Sequence, residues 1–107
     1  MTTINASKNI FTLINVFHVE PKNQQELVDL LIEATEETMR NLPGFISANI
    51  HSSFDGKRVV NYAQWESKEH FEKMLYNSSA ILHMKQAEKL VNSFDPIQAE
   101  VSDSISI

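Results

Sequence analysis

Cysteine is absent from all 107 residues, which removes disulfides, thiolate nucleophiles and thiolate metal ligands together. Glycine occurs twice and proline three times, too rarely for a disordered or fibrous chain, and no glycine-rich loop exists to cradle a phosphate. Lysine and arginine number 9 against 14 aspartates and glutamates, a formal net charge of −5. A nucleic-acid surface needs a basic stripe that displaces counterions, whereas Lys57-Arg58 and the pair Lys85 and Lys89 are scattered cations. The opening "MTTINASKNI" has no long apolar run and reads as neither a signal peptide nor a membrane span. The expectation is a cytoplasmic protein with no nucleic-acid and no membrane partner.

Catalytic signatures are equally sparse. His18, His51, His70 and His83 show no HxxxH or HxH spacing, so no metal site is expected. No serine elbow offers a nucleophile. Met39, Met74 and Met84 read as core or pocket filler, the usual use of a flexible thioether.

What is present is one domain's length with 42% hydrophobic residues. Residues 1–10 are polar and read as a flexible arm ahead of a single domain, 11–107. "FTLINVFHV" (11–19) is rich in β-branched and aromatic residues and reads as a strand. Asn23, with Glu26 three residues on, has the form of a capping box for a helix from about Gln24 to Asn41. Pro43 and Gly44 in "NLPGF" end it. "FISANIHSS" and "RVVNYAQW" flank Asp55-Gly56, a hairpin-turn pair. Ser67 caps a second helix, "KEHFEKMLY". After a break at "NSSA" comes a helical piece over roughly 80–92, with Leu82, Ala87 and Leu90 as its apolar side. Ile97, Ala99 and Val101 alternate as a last strand. The order βαββαβ is that of an α+β, ferredoxin-like fold.

The first and third strands are apolar on both faces: Leu13, Phe17 and Val19 oppose Ile14 and Val16, and Val59 and Ala63 oppose Val60 and Tyr62. Strands of that kind belong to sheets covered on both sides. Helices cover one side, so the expectation is a homodimer in which a second copy of the sheet covers the other.

Three polar side chains interrupt this pattern. Asn61 and Trp65 share one strand face, their α-carbons roughly 13 Å apart. Asn15 shares its face with Leu13 and Phe17 on the neighbouring strand. A buried carboxamide must bond to protein, water or ligand. Either nearby backbone satisfies each amide, with Trp65 simply core, or the three line one cavity.

"TLINVFHVEPKNQQELVDLL", "LPGFISANIHSSFDGKRVVNYAQW" and "WESKEHFEKML" together resemble the antibiotic biosynthesis monooxygenase family, over nearly all of residues 11–100. The resemblance implies a dimeric α/β barrel in which two ferredoxin-like sheets pack together. It also implies oxidation of an electron-rich phenol, anthrone or hydroquinone to a quinone by O2, without a cofactor. The family's strand-borne Asn-x-x-x-Trp pair and first-strand asparagine fall on Asn61, Trp65 and Asn15, the implied catalytic residues. Phe17, Phe71, Met74, Leu82 and His83 are the expected substrate-binding wall. Phe71 stands where some members carry a tyrosine, so a phenolic donor is missing. In the haem-degrading branch the tryptophan and histidine positions fall on Met74 and Met84, one residue from His83. A haem-degrading monooxygenase and a non-catalytic module binding small aromatics are the alternative readings.

Overall fold

The computed structural model describes residues 1–107. Strands β1 (Phe11–Val19), β2 (Phe45–Ser52), β3 (Arg58–Trp65) and β4 (Val91–Ala99) form one antiparallel sheet in the order β2-β3-β1-β4. Helix α1 (Gln24–Glu37) joins β1 to β2, and α2 (Lys68–Met74) followed by α3 (Ser78–Glu88) joins β3 to β4. This is the expected ferredoxin-like α+β plan with its second helix in two pieces. No helix is long and apolar enough to cross a membrane.

Strand alternation decides what faces the helices. The odd-numbered residues of β1 and β3 pack with α1, α2 and α3 in two clusters. Leu13, Ala63 and Trp65 meet Phe71, Met74 and Ala80, while Phe17, Val19 and Val59 meet Leu27, Val28 and Ala87. The even-numbered residues Ile14, Val16, Val60 and Tyr62 form the opposite face and are only half-buried. Above that face Thr2 donates its hydroxyl to Asn49 Oδ1 at 2.7 Å, and Gln64 donates its amide to the Thr3 carbonyl at 2.8 Å.

Local signals set several boundaries as expected. Ser67 accepts a hydrogen bond from the His70 N–H and caps α2, and Asn77 does the same for α3 through the Ala80 N–H. Gly56 takes a φ of +77° in the β2–β3 hairpin, a conformation that glycine adopts without penalty.

Four expectations need correction. Asn23 does not cap α1: Pro21 starts a 3-10 turn over Pro21–Asn23, which leaves Asn23 in helical backbone with no side-chain cap. Gln24 instead anchors that end, donating its amide to the Ser53 and Arg58 carbonyls, both at 3.0 Å. Helix α1 stops at Glu37, and Met39–Asn41 form a separate 3-10 turn. The stretch read as the end of the last helix is already strand, because Val91 pairs with Val19 of β1. The last strand ends at Ala99, so Val101 lies beyond it, and it contains Pro96 opposite Asn15, tolerated because β4 is an edge strand.

Candidate active site

Asn15 and Asn61 are direct Cα partners across the β1–β3 ladder. Each stands mid-strand on the helix-facing side, Asn15 between Leu13 and Phe17, Asn61 between Val59 and Ala63. Two amides at the centre of that face divide what would otherwise be one continuous core into the two clusters described above. Between the clusters lies a cavity of about 200 Å³, and 15 of its 20 lining residues are hydrophobic. Its five polar residues are Asn15, Thr35, Asn61, His83 and Glu88, and their hydrogen bonding distinguishes them.

The Thr35 hydroxyl donates to the Leu31 carbonyl at 2.8 Å, so its own helix satisfies it. The Asn61 Oδ1 accepts from the Asn49 N–H at 3.2 Å, which leaves its NH2 group as the free end. Asn15 Oδ1 is enclosed and has no partner, and the same holds for His83 Nδ1. Glu88 is exposed. An enclosed polar atom without a partner costs about 1–3 kcal/mol.

Trp65 is the aromatic wall at one end. It is 2% exposed and meets the rings of Phe45 and Phe71 edge-on, at centroid distances of 5.4 and 6.5 Å. At the other end Phe17 stacks on Phe94 at 4.8 Å. Phe94 and Glu88 line the cavity yet are exposed, so they mark its mouth.

Of the predicted residues, Asn15, Asn61, Trp65, Phe17, Met74 and His83 all line this one cavity. Phe71 does not: it is buried behind Trp65, stacked on Phe11 at 5.1 Å, and supports the indole from outside the cavity. Leu82 does not either, being 57% exposed. Helix α3 turns its Ala80, His83, Met84 and Ala87 stripe inward instead, with Ala80 and Ala87 buried. The missed lining residues include Leu30, Leu31 and Phe94. The two leucines carry a signal in the helical spacing of α1; Phe94 carries none, because "NSFDP" has no strand alternation.

The other three histidines have partners within the chain. His18 Nε2 lies 3.2 Å from Asp95 Oδ2, His51 Nδ1 lies 2.9 Å from the Asn49 carbonyl, and the Ser67 hydroxyl lies 2.6 Å from His70 Nδ1. No three acidic or histidine side chains gather in a way that would hold a metal ion.

Known proteins resemble this chain in sequence and in fold. The profile of the family called antibiotic biosynthesis monooxygenase matches residues 10–87. Over 104 residues, 97% of this chain and 92% of the relative, the sequence is 44% identical to tetracenomycin-F1 monooxygenase of Streptomyces glaucescens. A monooxygenase from the ActVA-Orf6 gene of Streptomyces coelicolor, solved with the ligand nanaomycin D, superposes with a TM-score of 0.80 at 29% identity, over 91% of each chain. SnoaB, a cofactor-independent oxygenase of Streptomyces nogalater, has the same fold, with a TM-score of 0.80 at 17% identity over 91% of this chain and 97% of its own. By the span of the family match and the identity to its curated relative, the chain belongs to the antibiotic biosynthesis monooxygenase family.

Proposed function

We propose that the chain is a cofactor-independent monooxygenase that converts an electron-rich fused-ring phenol or anthrone to the quinone with O2. The observation that carries this reading is the apolar cavity into which Asn15, Asn61 and Trp65 converge, with an amide oxygen still unpaired. The names of the relatives support the substrate class.

The reaction needs no external reductant. Removing a proton from the substrate gives an enolate whose carbon transfers an electron to O2, and recombination forms a carbon–oxygen bond. Protonation gives a hydroperoxide, which loses water to leave the carbonyl. One oxygen atom ends in the quinone and one in water, and the CH2 carbon supplies all four electrons. The dry cavity strengthens every hydrogen bond to the anion. Asn61 offers N–H donors, and Trp65 an indole N–H, to the enolate oxygen or the nascent peroxide. Asn15 orients the ring from the neighbouring strand. A cavity of about 200 Å³ is smaller than the ~300 Å³ at which drug-sized pockets begin. A multi-ring substrate therefore enters by its reacting edge and leaves its remaining rings at the mouth, beside Phe94.

The test is oxygen uptake with dithranol, a hydroxylated anthrone, under isotopically labelled O2. Enzyme-dependent uptake with one labelled atom in the product is expected. No uptake above the spontaneous rate, across a panel of anthrones and hydroxynaphthalenes, would overturn the reading.

We also propose that two copies pair through the half-buried face of the sheet away from the helices, beside the part that Thr2 and Thr3 cover. Ile14, Val16, Val60, Tyr62 and the exposed Ile97 lie on that face. A second copy would cover this apolar area, which the helices leave uncovered.

A further inference from the structure

We propose that His83 is the general base of this oxygenase, its imidazole taking the proton whose loss turns the substrate into an electron donor. The proposal rests on the oxygenase reading above and supplies the group that reading lacks, because neither a carboxamide nor an indole accepts a proton at neutral pH.

Helix geometry puts the imidazole there. Ala80, His83, Met84 and Ala87 recur at helical spacing along α3, and the flanking alanines are buried. His83 is therefore on the inward stripe, bordering the cavity, with Nδ1 shut off from solvent and without a partner. A leucine or valine would fill that place without an unpaired nitrogen. The other three histidines all have partners within the chain. Elimination points the same way. Among the lining residues only His83 and Glu88 ionise, and Glu88 is exposed at the mouth. Helices α1 and α2 and all four strands contribute no ionisable side chain to the lining.

In the step itself, the neutral His83 imidazole takes the substrate proton, and the C–H or O–H electron pair stays on the substrate as the enolate. After that anion reduces O2 and recombines with it, the imidazolium returns the proton to the peroxide. Loss of water then gives the quinone, and His83 is neutral again. Substrate carbon is oxidised, O2 is reduced, and the imidazole ends unchanged.

The experiment measures dithranol oxidation by the full chain from about pH 5 to about pH 9. Wild-type kcat should fall on the acid side, since a general base works only unprotonated. His83→Gln should lower kcat by about 10²–10⁴-fold and abolish the acid limb, with binding of the product quinone unchanged. His83→Ala should be rescued by added imidazole, and the loss in His83→Gln should shrink for anthrones with more acidic hydroxyls. A folded His83→Gln with wild-type kcat and the same acid limb would overturn the proposal. So would loss of quinone binding in His83→Gln together with no imidazole rescue of His83→Ala, which is the pattern of a packing role. Absence of oxygen uptake by the wild-type chain instead overturns the oxygenase reading itself, and this proposal with it.

Discussion

The side-chain oxygen of Asn61 accepts a hydrogen bond from the backbone N–H of Asn49, 3.2 Å away on the next strand. That bond fixes which end of the amide faces the cavity, because an amide flip would set N–H against N–H. The free end is a pair of donors, the chemistry suited to a developing anion.

Asn61→Ala should therefore lower turnover of an anthrone by about 10²–10³-fold, the range for losing one preorganised donor. It should also cost about 1 kcal/mol of stability through the lost bond to Asn49. Asn61→Asp keeps an acceptor for Asn49 but presents negative charge to the cavity. Its turnover should fall at least as far, with a melting temperature close to wild type. Wild-type turnover in Asn61→Asp would exclude the donor role.

Gly44 makes a sharper stability prediction. Its φ is +85°, and a Cβ at that position would overlap the His70 imidazole. That ring is held by the Ser67 hydroxyl, which also caps α2. Gly44→Ala should cost at least about 2 kcal/mol through backbone strain and steric overlap together. The urea midpoint is the measurement, and a change within error would mean that the ring moves aside freely.

Acid sensitivity should begin in the β2–β3 hairpin. The Ser53 hydroxyl, then the Lys57 N–H and the Arg58 guanidinium, hold the Asp55 carboxyl at about 2, below its ordinary 3.8. Because the folded value is the lower one, the contribution is present above 3.8 and disappears as pH falls through about 2. Asp55→Asn should flatten that part of the stability profile. Urea midpoints for both proteins across that window would show it, and parallel curves would rule it out.

The half-buried sheet face predicts its own disruption. Val16→Lys places a charge among Ile14, Val60 and Tyr62 on the face away from the helices. Sedimentation should show a dimer for the wild type and a monomer for the variant, since an unpaired charge is not buried in an apolar interface. A wild-type chain that sediments as a monomer would remove the paired-sheet proposal.

The placement of Asn15, Asn61 and Trp65 on one face was legible in the sequence, because strand alternation is a period-two property of consecutive residues. The Asp55-Gly56 hairpin and the Ser67 cap were legible for the same reason: each is a short-range arrangement of backbone and side chain.

Tertiary structure decided what no local pattern contains. Helix α3 carries apolar residues on most sides (Ala80, Ile81, Leu82, Met84 and Ala87), so its sequence permits more than one inward face. Packing chose the one that buries Ala80 and Ala87, which left Leu82 in solvent and put His83 against the cavity. The start of β4 depended on pairing Val91 with Val19, far apart along the chain. Whether Phe71 or Met74 reached the ligand space depended on which of them stood behind Trp65. The cavity itself is volume left unfilled by side chains from all four strands and all three helices, and an unfilled volume shared among so many elements has no signature in any one of them.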